Sequence, residues 1–171
     1  MALLNQAYQN SNISLTARLV HTALVDYTET GNMSDALYAV TDGNVFTPAP
    51  NAVNVHDLRN TYGADFVAMF TNDSNYCGIA WIMTYERVGF NTHAYSVTLP
   101  SCISNHTMTH ELGHNSGLAH DRLVSSSPGA KPYAYGYGNC GSAGVRSIMA
   151  YSCSGNSREN YFSSPDYLVE G

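Results

Sequence analysis

Positive charge is what this chain has least of. Seven Lys and Arg stand against 13 Asp and Glu, a formal net charge of −6 over 171 residues. So few cations argue against a nucleic-acid footprint or an anionic-membrane surface. Long apolar runs are also missing, and no stretch approaches the roughly 18 residues that a bilayer-spanning helix needs. No basic-then-apolar leader follows Met1, so a secreted form is expected to have had its leader removed or left out. Cysteine is scarce, and none of the four forms a Cys-x-x-Cys, which argues against a thioredoxin-like motif or a second zinc site. Four cysteines allow three pairings. Closure of local loops favours Cys77 with Cys102 and Cys140 with Cys153, each worth about 3 kcal/mol in entropic models. Four buried free thiols are the alternative. Disulfides imply an oxidising compartment outside the cytosol. The length suits one domain with a modest core.

Against that sparse background one stretch stands out, His-Glu-Leu-Gly-His-Asn-Ser-Gly-Leu-Ala-His-Asp from His110 to Asp121. Residues four apart on a helix share a face, so the imidazoles of His110 and His114 can reach one ion. Glu111 points sideways from that pair, where it can touch a metal-activated water without ligating the metal. His120 comes ten residues after His110, and a continued helix would carry it about 15 Å along the axis. It can join the site only if the helix stops, and Gly117 sits where the break is required. Three neutral imidazoles with one open position are the pattern of a catalytic zinc site. Zinc would bring the pKa of water towards about 7 and polarise a carbonyl, while Glu111 moves the protons. A bare His-x-x-x-His pair is often incidental; Glu111, Gly117, His120 and Asp121 in register make that reading untenable here. His106 is one turn before His110 but lacks the glutamate and the third histidine, and His21, His56 and His93 have no partner at ligand spacing.

Elsewhere the chain punctuates itself. Residues 2–10 read as a helix, and alternation from Ile13 through Leu19 to about Tyr27 reads as a strand. Ser34 is positioned to cap a short helix over 35–40, and Val55 to Tyr62 reads as a helix ending at Gly63. Strands are expected over 66–70, 78–84 and 94–99, the last leading to the metal-binding helix with Ser104 or Asn105 as its N-cap. Beyond His120 the chain is turn-rich with little periodicity.

The motif and its surroundings resemble the metzincin zinc endopeptidases, with Asp121 as in reprolysin-like members. The wider chain is similar to bacterial peptidyl-Asp metalloendopeptidases through Asn-Thr-Tyr-Gly-Ala-Asp (60–65), Cys-Gly-Ile-Ala (77–80) and Ser-Ile-Met-Ala-Tyr (147–151). The resemblance implies an α/β (α+β) zincin catalytic domain. Its upper part, about residues 1–117, would hold a twisted mixed sheet with helices above a cleft, and residues 118–171 a small irregular lower subdomain. It further implies that Met149 is the methionine turn beneath the zinc and that Asp121 fixes the lower part. By the same likeness Gly78, Ile79, Ala80 and Trp81 belong to an edge strand that pairs with extended substrate. Tyr151 matches a tyrosine that astacins and serralysins aim at the zinc, whereas reprolysins generally lack it. Compared with such enzymes the chain lacks a first strand and a last helix, so truncation at both ends is expected.

Together these readings describe a secreted, monomeric zinc endopeptidase that acts on proteins or peptides through water activated by the metal and Glu111. Whether calcium is also bound is left open. Cleavage beside Asp, and less readily Glu, would need a cation in the pocket after the scissile bond, and Arg146 is the candidate, ahead of Arg122 and Lys131. A different zinc hydrolase, or a non-catalytic peptide-binding module that keeps the fold, are the rival readings.

Overall fold

The structure, a computed structural model, describes residues 1–141 and 144–164. Among them lie helices and small sheets in an α+β arrangement, divided into two compact units. One unit comprises residues 19–81 and 87–115, and the other residues 1–18, 82–86 and 116–171. Residues 165–171, where the expected last helix would begin, lie outside the described residues.

The first unit is built on a mixed three-stranded sheet of order β1-β3-β2, with β1 Val67–Phe70, β2 Gly78–Ala80 and β3 Tyr95–Thr98. β1 runs parallel to β3, and β2 antiparallel to it with Ile79 opposite Val97. Every residue of β3 is buried, as befits a central strand covered on both faces. Tyr95 and Val97 join the core, into which helix α2 (Met33–Thr41) sends Met33, Ala36, Leu37 and Val40 from one helical stripe. Successive strand residues face opposite ways, so Ser96 and Thr98 turn from that cluster. Helix α3 (Val55–Tyr62) stops at Gly63, whose φ of 61° is the left-handed conformation that terminates helices.

Three expectations need correction. The stretch expected as a strand over 13–27 forms no regular strand: only Asp26 bridges, its N–H donating to the Phe46 carbonyl at 2.7 Å, and Leu15, Leu19 and Leu24 stay exposed. Alternation reports backbone shape and says nothing about whether a ladder partner exists. The cap of α2 is Asn32, whose side chain accepts from the N–H of Ser34, so Ser34 lies inside the first turn. β2 is also shorter than expected. It ends at Ala80, leaving Trp81 outside the strand with its indole N–H on Thr41 Oγ1 and its ring edge-on to Tyr38.

In the second unit helix α1 (Ala2–Asn10) buries Leu4 and Ala7. Ser11 Oγ accepts from Phe162 N–H, Asn10 Nδ2 donates to the Asn160 carbonyl, and Tyr8 lies 5.9 Å from Phe162 ring to ring. Two short parallel pairs follow, β4 (Ala119–Asp121) with β5 (Tyr135–Gly136) and β6 (Gly144–Arg146) with β7 (Asn156–Arg158). Strands of two or three residues are too short for alternation to show in sequence. Disulfides join Cys77 to Cys102 and Cys140 to Cys153. Among the described residues no helix is long and apolar enough to cross a membrane.

Candidate metal centre

Helix α4 (Thr107–Asn115) carries the first half of the motif. It follows a 3₁₀ segment, Pro100–Asn105, and His106 with φ 60° lies between that segment and the helix. Nearly the whole helix is buried, His110, Glu111 and His114 included. Asn115 at its last position is 1% exposed, and its Nδ2 donates to the carbonyls of Trp81 at 2.9 Å and Tyr95 at 3.1 Å. One amide thus fixes the end of α4 to β3 and to the residue after β2. The motif does not single out Asn115; a polar residue held at a buried helix end was the available signal.

The turn after the helix is made by close backbone approach. Gly117 has φ 90°, and its carbonyl accepts from Ala130 N–H at 2.8 Å. A Cβ on Gly129 would fall 1.8 Å from that same carbonyl oxygen, so residues 117 and 129 can cross only as glycines. Ala119 N–H then donates to the Ala134 carbonyl at 2.9 Å, which starts β4 and sets His120 in a strand.

The ring nitrogens that His110, His114 and His120 offer all lie within 4.8 Å of one another. The rings of His110 and His114 are 4.7 Å apart and perpendicular, the edge of one against the face of the other. Burial lowers the pKa of His120, with the Asp121 carboxylate opposing. Burial therefore favours the neutral imidazole, the form that ligates a metal. Three imidazoles, two of them buried, fit a borderline-soft divalent ion with a position to spare.

Glu111 is 4% exposed and lies against the backbone of β2. A Cβ built on Gly78 would be 2.5 Å from Glu111 Oε1 and 2.6 Å from Thr107 Cγ2. Only the absence of a side chain at 78 lets the strand pass so close to the carboxylate. β2 has β3 on one side and no other strand partner among the described residues, so Gly78, Ile79 and Ala80 form an edge.

Asp121, buried, accepts at Oδ1 from Leu123 N–H and at Oδ2 from Tyr151 N–H, at 3.0 and 2.9 Å. Tyr151 is half exposed, and its ring centre lies 4.3 Å from that of His120. Ile148, Met149 and Ala150 are at most 1% exposed. Gly136 passes this turn so closely that a Cβ there would meet Met149 C at 2.7 Å. Arg146 is half-buried. Its Nη1 donates to the Ala150 carbonyl at 2.9 Å, while its buried Nε has no hydrogen-bond partner among the described residues. Burial lowers its pKa, and it has no ion-pair partner among the described residues. Both oxygens of Asp121 accept backbone amides, and Glu159 Oε1 accepts from Ser157. Lys131 is paired with Glu86, and Arg122 lies over the Tyr135 ring at 4.0 Å.

Residues 1–163 match the model of Metallo-peptidase family M12. Among curated relatives, a peptidyl-Asp metalloendopeptidase of Xanthomonas campestris is 34% identical over 98% of this chain and 38% of its own length. One from Stenotrophomonas maltophilia is 32% identical over 98% and 39%. One from Pseudomonas fragi is 28% identical over 95% and 82%. The chain therefore spans about two fifths of the Xanthomonas and Stenotrophomonas relatives. A solved structure described as "Structure of a chaperone-substrate complex" superposes with a TM-score of 0.63 at 23% identity, covering 96% of this chain and 24% of the other.

Proposed function

The chain belongs to Metallo-peptidase family M12, and from that premise we propose that it is a secreted, monomeric zinc endopeptidase whose 171 residues act as one catalytic domain. The observation that carries the reading is the buried glutamate beside three histidines whose nitrogens converge within 4.8 Å. Zinc, when bound, supplies a Lewis acid and makes water acidic near neutral pH. His110, His114 and His120 hold it. Glu111 takes the proton of the attacking water and hands it to the departing amine. Gly78, Ile79 and Ala80 offer edge-strand backbone groups to an extended substrate. Trp81 follows that set just past the end of β2, its indole engaged with Thr41 and Tyr38. Met149 floors the site, and Asp121 supports it through its bonds to Leu123 and Tyr151. The disulfides suit an extracellular setting. The test is zinc content measured alongside casein hydrolysis: a chelator removes both, and added zinc restores both. Hydrolysis that survives complete loss of metal would overturn the reading.

We assign the phenol of Tyr151 to donate to the oxyanion that develops on the substrate carbonyl. Its ring beside His120 and its half exposure support that role. Tyr151→Phe is expected to lower kcat by about 10²-fold with KM little changed. An unchanged kcat would leave the tyrosine a packing role alone.

The relatives' name points to aspartate, and we take the cut to fall on its N-terminal side. Arg146 is the cation we assign to grip that carboxylate. It has no acid partner among the described residues, and it bonds to Ala150, next in the chain to Tyr151. A guanidinium can take a carboxylate through two parallel hydrogen bonds. In a digest of a mixed peptide library, Arg146→Ala should lower the preference for Asp after the cut by about 10-fold or more, the scale of a charged hydrogen bond. An intact preference would remove Arg146 from the pocket.

A further inference from the structure

An endopeptidase directed to aspartate has to coexist with its own aspartates, and helices, a bridge or burial hold the backbone at most of those among the described residues. Asp35 and Asp57 lie in the first turns of α2 and α3. Asp42 caps α2, its N–H on the Tyr38 carbonyl, and Asp26 is tied to Phe46. Asp73 and Asp121 are buried. Asp166 lies outside the described residues. Asp65 shares its exposure with Asp26, Asp35, Asp42 and Asp57, and differs in that its own carbonyl and the one before it are both held by a single side chain. It is exposed, its carboxylate has no hydrogen bond among the described residues, and it sits in the irregular connection between α3 and β1.

That connection is held by one side chain. Arg59, in the last turn of α3, donates from Nε to the Ala64 carbonyl and from Nη2 to the Asp65 carbonyl, both at 3.1 Å. Its Nη1 donates to the Asn91 carbonyl, and the guanidinium lies 5.3 Å from the Tyr95 ring centre. Ala64 N–H returns a bond to the Arg59 carbonyl at 3.0 Å. We propose that the Ala64–Asp65 bond is a latent self-processing site of this enzyme and that Arg59 is its guard. The proposal rests on the aspartate-directed reading above.

The Ala64 carbonyl is the one hydrolysis would attack. With the Asp65 carbonyl it is turned onto the guanidinium, where neither can pair with an edge strand. A chain presents itself to a protease only after such local bonds open, and the cut rate follows the population of the open form. Arg59 keeps that population low by adding charge-assisted bonds on both sides of Asp65. Once open, the reaction needs water alone. Its hydroxyl goes to the Ala64 carbonyl carbon and its proton to the Asp65 nitrogen as the C–N bond breaks. Chains 1–64 and 65–171 result. Ala64 and Asp65 fall in the Asn-Thr-Tyr-Gly-Ala-Asp stretch, directly after Arg59, and the metal site does not use it.

The experiment separates guard from chemistry by cutting an inactive chain in trans. Glu111→Ala serves as substrate, alone and combined with Arg59→Gln, with a trace of the active protein added. Products are read by intact mass and N-terminal sequencing. Arg59→Gln should release the 65–171 fragment at least tenfold faster than the Glu111→Ala chain alone, and adding Asp65→Asn should remove that cut. Equal rates, or a first cut at another bond, would overturn the proposal. Should Arg59→Gln fail to fold by circular dichroism, Arg59→Lys carries the test. It keeps the charge but cannot span both carbonyls, so the same fragment must appear faster than from the Glu111→Ala chain. A synthetic peptide of residues 58–70 is the control. If the active protein leaves it whole while cutting casein, the aspartate reading has failed; if the peptide is cut and the variants are not, the guard has.

Discussion

Glu111→Ala should abolish peptide hydrolysis and leave about one zinc per chain. A general base contributes roughly 10²–10⁴-fold, and the loss is expected near the top of that range, because a buried carboxylate has no solvent group to replace it. Glu111 is 4% exposed and next in sequence to His110. Removing it should therefore cost turnover without costing a ligand. His120→Ala is the counterpart: it takes one nitrogen from the converging three, so affinity for the metal should fall and activity with it. Metal analysis after dialysis, paired with kcat on a fluorogenic peptide, reads both variants. Turnover by Glu111→Ala above a trace of the parent rate would sink the assignment of the base.

The second large effect is expected from the smallest change, Gly78→Ala. The new methyl group would stand 2.5 Å from Glu111 Oε1, 2.8 Å from Glu111 Cγ and 2.6 Å from Thr107 Cγ2. Something has to move. The strand is held by its ladder to β3 and by Cys77, which is bonded to Cys102 and accepts from Leu99 N–H. The helix is held by Asn115. The glutamate side chain, the longest of the groups in contact, is expected to give way, and that takes the base from its position. The expected outcome is a fall in kcat of about 10²-fold, the scale of a misplaced catalytic group. Zinc should stay bound, and overpacking should cost about 1–3 kcal/mol of stability. Thr107→Ser in the same chain removes the obstructing Cγ2; it should recover melting temperature while kcat stays low. If Gly78→Ala turns over within twofold of the parent, the contact is packing and nothing more.

The sequence disclosed most where a single residue type is compulsory. Gly63 and Gly117 marked chain reversals because both take positive φ, and the three histidines converge because the break at Gly117 allows it. Helix spans were legible too: α1 and α3 lie where apolar spacing and terminating residues put them. What stayed hidden depends on partners that no local pattern names. Residues 13–25 alternate like a strand and have almost no ladder. Asn115 gave no sign that its amide would bridge Trp81 and Tyr95, nor Gly129 that it would lie against Gly117. Trp81 looked like the continuation of an edge and proved to be anchored on α2.

The bonds from Ser11 to Phe162 and from Asn10 to Asn160 join residues 151 and 150 positions apart along the chain. Closing a loop of that length costs about 2 kcal/mol more entropy than closing the 16 or so residues between β4 and β5. Contacts of such range slow folding more than they lower stability. α2, α3 and α4 with their small sheet need no such closure, since their partners lie between residues 19 and 115. Two of the three histidines thus ride on the part of the chain that local contacts can organise early. His120 belongs to the part whose assembly waits for the far end of the polypeptide to find the first helix.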